Sequence, residues 1–435
     1  MGAVFADRGC AVAGVDLDSA VVEAINEGRA PFEEPGLDEL IRKNYHRLSA
    51  TTDCEAAVED AEITFVVVPT PSEDNGVFSL LHVLAAAESV GKALRRKSGF
   101  PLVVLSSTVM PGSTGGCVLP LLEQVSGKKC GRDFGLCYSP EFIALGSVIR
   151  DMLNPDLVLI GESDPRSGQL LADFYQRICA NKPAVARMNF VNAELTKLSV
   201  NTFVTTKISY ANMLAEICEK LPGADVDVIT AALGLDSRIG GKYLKGAVGY
   251  GGPCFPRDNV AFISLARRCG VEPVLAEATD AVNRRQATRL AGLVRSLLPA
   301  GGAAGILGLS YKPSTNVIEH SPGILLAKQL AGAGVPVVVY DPIAMDNARA
   351  EIGEKVDFAC SMQECASRAS VLVITTPWEE FRRLAPEDLS SSLGRPAVID
   401  CWRILPGESF EATADYVTVG LGPPAADEAV ALAGG

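Results

Sequence analysis

Short apolar runs at Ala11–Val15, Ile63–Val68, Leu102–Leu105 and Leu157–Ile160 alternate with helix-patterned segments through residues 1 to about 190. This rhythm constrains the fold more than any other feature. Such runs are strand-sized, and those that lack polar alternation suit strands covered on both faces, as in a parallel sheet between helices. The rhythm returns after residue 302, where Gly305-Ile-Leu-Gly-Leu-Ser-Tyr-Lys312 and Val335-Pro-Val-Val-Val-Tyr-Asp-Pro342 flank a helix containing Ile324, Leu325, Leu326 and Leu330. Between the two regions the pattern is helical. One long helix runs through Asn192–Asn212 with Leu195, Leu198, Phe203, Ile208 and Leu214 available for packing. Another runs from Pro273 to Leu298, and its Val274, Leu275, Ala278, Ala281, Val282, Leu290, Leu293, Val294 and Leu297 predict a buried face.

These observations predict an α/β chain of two Rossmann-like domains joined by a central helical region: residues 1–190, 191–298 and 299–435, with a mobile tail from Leu421. Asp16, ending the first run, has the position of the acid that grips an adenosine ribose in dinucleotide-binding folds, although strand-end aspartates also serve as caps. A strand and a G-x-G-x-x-G loop should precede that acid by about 20 residues. Only fifteen residues precede it, and Met1–Gly9 reads as the latter half of the helix that follows such a loop. The expectation is therefore an N-terminal domain lacking its first strand and phosphate cradle, from a start codon placed too far downstream or a truncated chain. Backbone groups should be left unpaired where that strand belongs.

Composition narrows the function. Net charge is −13 and the pI near 4.9, which opposes nucleic acid or an anionic membrane as partner. Twelve scattered cysteines without metal spacing suit a reducing cytoplasm. With only His46, His82 and His320 there is no H-E-x-x-H zinc site, and no metal is expected. No apolar run reaches membrane-spanning length.

Two stretches carry chemistry. In Val248-Gly-Tyr-Gly-Gly-Pro-Cys-Phe-Pro-Arg-Asp258, Gly249, Gly251 and Gly252 permit sharp bends and close ligand approach, and Pro253 and Pro256 fix the turn presenting Cys254, a candidate nucleophile. Asp258 follows at the start of a helix predicted from Asn259 onward. A buried structural cysteine in a Gly/Pro turn is the plainer reading. In Asn192–Asn212, Lys197 and Asn201 stand four apart, placing an ammonium and an amide on one helical face as a pair that could stabilise an oxyanion.

Together these stretches resemble the UDP-glucose/GDP-mannose dehydrogenase family, with its GGxCFPKD cysteine loop and K-x-x-x-N helix. The resemblance runs from Met1 to about Arg403. It implies two successive NAD-dependent oxidations of a nucleotide-sugar C6 alcohol to the carboxylate, through a thiohemiacetal and a thioester on Cys254, in a homodimer. UDP-glucose is the expected sugar, with N-acetylmannosamine, mannose or a galacto relative as alternatives. The family's nucleotide-contacting loops correspond to Val68-Pro-Thr-Pro71 and Ser106-Ser-Thr-Val-Met-Pro-Gly112, which implicates Thr70 and Thr108. Ser139-Pro-Glu-Phe-Ile-Ala-Leu-Gly146 matches P-E-F-L-R-E-G and places Glu141 beside substrate and water, with Asp258. Arg238, Tyr243, Gly251, Lys312 and Arg403 are the substrate-binding residues the resemblance implies. Two departures stand out: Leu145 replaces an acid, and Glu319, in Thr315-Asn-Val-Ile-Glu-His-Ser-Pro322, replaces a cation. The rival reading is a non-catalytic nucleotide-sugar-binding homologue.

Overall fold

Each apolar run becomes a strand within two residues of its expected limits in a computed structural model, which describes residues 1–389 and 393–424. After the short helix α1 (Gly2–Asp7) come β1 (Val12–Val15), β2 (Leu48–Thr51), β3 (Ile63–Val66), β4 (Leu102–Leu105), β5 (Gly135–Tyr138), β6 (Leu157–Glu162) and β7 (Ala184–Met188). Together with the start of the long helix α2 (Phe190–Cys218), they belong to a unit formed by Met1–Val200 and Ser264–Cys269; the rest of the chain forms a second unit.

The sheet of the first unit is in two pieces. β1 pairs in parallel with β2, and a separate sheet runs in the order β3-β4-β5-β6-β7, with β5 and β6 antiparallel and the other pairs parallel. Among the described residues no ladder joins β1 to β3. Leu102, Val103, Val104 and Leu105 of β4 are all buried, as an unbroken apolar strand requires. From α1, Phe5 lies 5.1 Å from the Phe65 ring and edge-on to Phe174 at 5.0 Å, covering one face of this layer.

The second unit contains the remainder of α2, then α3 (Val226–Leu235), α4 (Phe255–Arg268, in part), α5 (Val274–Leu297) and a six-stranded parallel sheet. Its strands are β8 (Ala304–Leu307), β9 (Val337–Tyr340), β10 (Asp357–Phe358), β11 (Val371–Ile374), β12 (Ala397–Asp400) and β13 (Asp415–Thr418), with α6 (Pro322–Gly332) connecting the first two. The order β10-β9-β8-β11-β12-β13 is the doubly wound arrangement, with its topological switch between β8 and β11. The expected tail lies largely outside the described residues.

Two packing expectations need correction. α2 spans 29 residues without glycine or proline, but its buried face is mostly polar: Glu194, Lys197, Asn201, Thr202, Thr205, Ser209 and Asn212. Phe203, expected to pack, is exposed, and so is Leu195. On α5, Val274, Leu275, Ala278 and Ala281 are exposed, whereas Thr279, Asp280 and Gln286 are buried. Helical spacing locates an apolar stripe; it does not say what covers it. Here the polar sides are turned inward, those of α2 chiefly onto backbone and the buried residues of α5 onto side chains.

Candidate active site

The cysteine loop is shaped by close backbone approach. A Cβ on Gly251 would stand 2.4 Å from the His320 carbonyl oxygen, so any side chain there would displace the loop. Gly252 has φ +87°, lies against the Tyr311 ring and donates its N–H to the Glu319 carbonyl at 2.8 Å. The segment in which Glu319 departs from the family pattern thus supports the cysteine loop from below through its backbone. α4 starts at Phe255, four residues before the expected Asn259, with Pro256 tolerated in its first turn. Cys254 therefore immediately precedes the helix, its carbonyl accepting the Asp258 N–H at 2.8 Å, and its side chain is exposed. A helix N-terminus favours negative charge, which suits a thiolate there.

Asp258 is buried on the same helix, where one carboxylate oxygen takes a hydrogen bond from Asn201 Nδ2 at 2.6 Å and the other faces the Arg257 guanidinium at 3.3 Å. Three of the expected residues, Cys254, Asn201 and Asp258, are thus gathered within the second unit. The Asn201 amide has two N–H groups, one of them committed to Asp258, which fixes its orientation.

Lys197 and Glu141 meet within the first unit. Lys197 is buried, its Nζ donating to the Glu141 carbonyl oxygen at 2.7 Å and lying 4.6 Å above the Phe142 ring. The Tyr175 hydroxyl donates to the Glu141 carboxyl at 3.3 Å, and Ser139 Oγ to Tyr175 in turn. Burial pushes the Glu141 carboxyl above the usual carboxylate range despite the opposing pull of the Met1 amino group, Tyr175 and Lys197. The Thr70 hydroxyl donates to the Thr108 carbonyl at 2.8 Å, tying together the loops after β3 and β4. Sequence reasoning missed Glu194, which stands one turn before Lys197 and accepts the N–H groups of Gly112 at 2.6 Å and Thr114 at 2.7 Å.

The remaining expected substrate residues are dispersed through the second unit. Arg238 is largely exposed and paired with Asp236 at 2.6 Å. Tyr243 is exposed, has φ +65° and meets Phe255 edge-on at 6.1 Å. Lys312 follows β8 beside the topological switch, its Nζ 5.9 Å from the Tyr311 ring. Arg403, at φ +55°, bonds Asp225 at 2.5 Å and the Val419 carbonyl at 2.9 Å.

The residues fit one end of a dinucleotide. Asp16 lies at the surface and accepts the Asp18 N–H at 2.9 Å, beside Leu17, whose side chain is almost fully exposed. An acid and a bare apolar side chain at a strand's carboxyl end suit a ribose and an adenine.

Comparison with known proteins places the chain in a family. Residues 1–179 match the NAD binding domain of the UDP-glucose/GDP-mannose dehydrogenase family, 191–285 its central domain and 305–407 its UDP binding domain. The UDP-glucose 6-dehydrogenase AglM of Haloferax volcanii is 38% identical over 407 residues, covering 93% of this chain and 94% of that protein. TuaD of Bacillus subtilis, another UDP-glucose 6-dehydrogenase, is 32% identical over 98% of this chain and 90% of its own. The structure of a UDP-glucose dehydrogenase from Pyrobaculum islandicum superposes with TM-score 0.86 at 33% identity, covering 97% of this chain and 94% of the other. The chain belongs to the UDP-glucose/GDP-mannose dehydrogenase family, and its cofactor is NAD.

Proposed function

We propose that this chain oxidises UDP-glucose to UDP-glucuronate, with Cys254 as the covalent nucleophile. The observation that carries the reading is Cys254 exposed at the N-terminus of α4, with Asp258 and Asn201 hydrogen-bonded to each other in the same unit. Asp16, Thr70 and Thr108 would hold NAD, which supplies the hydride acceptor for both oxidations. The Cys254 thiolate adds to the carbonyl carbon of the C6 aldehyde, forming a C–S bond, and the carbonyl oxygen becomes an oxyanion. Lys197 and Asn201 donate to that oxygen as its charge grows. Loss of the C6 hydrogen as hydride then converts the thiohemiacetal to a thioester. Asp258 and Glu141 take the proton from water as it attacks the thioester carbon, and the C–S bond breaks to return the thiolate. One acid is made for every two NADH. The relatives' activity and the UDP binding domain support the sugar nucleotide.

The same reading makes the enzyme a cytoplasmic homodimer. No described helix is long and apolar enough to cross a membrane. The exposed Phe203, Tyr210 and Ile217 recur seven apart along α2 and offer a self-complementary stripe.

Mixing the purified chain with NAD and UDP-glucose tests the assignment. Two NADH per UDP-glucuronate are expected, and C254S should lower the rate of acid formation by at least about 10³-fold. Acid formed by C254S at the parent rate overturns the thioester route. Turnover of GDP-mannose or UDP-N-acetylmannosamine, but not UDP-glucose, reassigns the sugar.

A further inference from the structure

Within the second unit, the approach to the cysteine loop is held by two asparagines that the scheme above does not use. Asn212, buried on α2, donates Nδ2 to the Val248 carbonyl at 3.0 Å and accepts the Ala247 N–H on Oδ1 at 3.0 Å. Asn283, half-buried on α5, accepts the Tyr250 N–H on Oδ1 at 2.7 Å and donates Nδ2 to the Tyr250 carbonyl at 3.0 Å. Each carboxamide offers a donor and an acceptor side by side, as a peptide group does. Residues 247–250 are thereby bonded as though to neighbouring strands, although their partners are side chains projecting from two long helices. The fit is close, since a Cβ on Gly249 would lie 2.7 Å from Asn283 Oδ1. Two residues further on, the Gly252 N–H bonds to the Glu319 carbonyl at 2.8 Å, and Cys254 follows after Pro253.

Loops are the mobile parts of a fold, and a nucleophile displaced by about 1 Å loses roughly 100-fold in rate. We propose that Asn212 and Asn283 are positioning residues that hold the Ala247–Tyr250 backbone on α2 and α5 and so fix where Cys254 meets the aldehyde carbon. The inference rests on the reading of Cys254 as nucleophile. Both asparagines act through the backbone and touch no reacting atom.

The test compares N283L, N212L, N283D and C254S in steady-state oxidation of UDP-glucose, with amide hydrogen exchange followed by mass spectrometry. N283L matches the size of the side chain and removes both hydrogen bonds. Its kcat should fall by roughly 10- to 100-fold while KM for UDP-glucose and NAD stays within about threefold. N283D keeps the acceptor for the Tyr250 N–H and should fall between N283L and the parent. Exchange should accelerate about tenfold in the peptide spanning 247–252, as expected for one lost hydrogen bond, with the rest of the chain unaffected. If N283L does not fold, the comparison of N283D with N212L carries the same reading. Parent kcat and parent exchange in both leucine variants, beside an inactive C254S, overturn the proposal and leave the nucleophile standing. An active C254S removes the nucleophile, while faster loop exchange in N283L would still show the clamp.

Discussion

Glu194, Lys197 and Asn201 occupy successive turns of α2, and each holds something other than an apolar neighbour: two backbone N–H groups, a carbonyl oxygen and the Asp258 carboxylate. Removing the ammonium in K197A should lower kcat by roughly 10²–10³-fold, as for other oxyanion donors, and single-turnover kinetics would show whether addition of the thiolate to the aldehyde is the slowed step. Glu141 has a separate signature. Its carboxyl is raised by burial, so the protonated form is favoured in the folded state. The stability it contributes is full below the unfolded carboxylate pKa of about 4.3 and is lost as pH rises through the higher folded value. E141Q cannot ionise; it should melt above the parent near neutral pH, with the difference vanishing below about pH 4, while acid formation falls. A variant that melts lower than the parent at pH 7 would contradict this. The Lys197–Asn201 spacing and the Cys254 loop were both legible in the sequence, because helical pitch and Gly/Pro chemistry are local. Tyr175 and Glu194 were not, because what they bond lies far along the chain.

Among the helices, the gap between pattern and packing is widest. The sequence predicts a buried apolar face on α5 and packing by Phe203 on α2; instead Phe203, Tyr210, Met213 and Ile217 on α2 and Val274 and Leu275 on α5 face outward. Apolar periodicity marks a face that should leave water, and a second copy of the chain removes it from water as well as a core does. The double substitution F203D/Y210D should shift the purified protein from dimer to monomer in light scattering, with the melting temperature becoming independent of protein concentration. A particle mass unchanged at all concentrations would exclude this stripe as the interface.

At the scale of the whole second unit, Arg403 draws the loop after β12 onto the start of α3, bonding Asp225 at 2.5 Å and facing Asp227 at 3.4 Å, while Lys245 reaches Asp227 at 2.6 Å. Burial alone would raise the Asp225 carboxyl, but the Arg403 hydrogen bond and the Asp227 N–H outweigh it and hold it below the ordinary range. Stability from this pair is therefore present above the unfolded aspartate pKa of about 3.9 and lost as pH falls through the lower folded value. R403M should cost about 1–2 kcal/mol at pH 7 in denaturant unfolding, with the difference shrinking below about pH 4. Equal loss at pH 7 and pH 3 would mean packing, not charge, makes the contact. The sequence alone determined the α/β class, the doubly wound pattern of strands, the cysteine loop and the paired Lys197 and Asn201, because strand runs, turn residues and helical pitch are written in neighbouring residues. Only the tertiary structure decided that polar faces of α2 and α5 turn inward, that Asn212 and Asn283 grip the cysteine loop, and that Arg403 is committed to two carboxylates. Those outcomes depend on which distant groups arrive unpaired, and a buried donor or acceptor must find its partner wherever the fold delivers one.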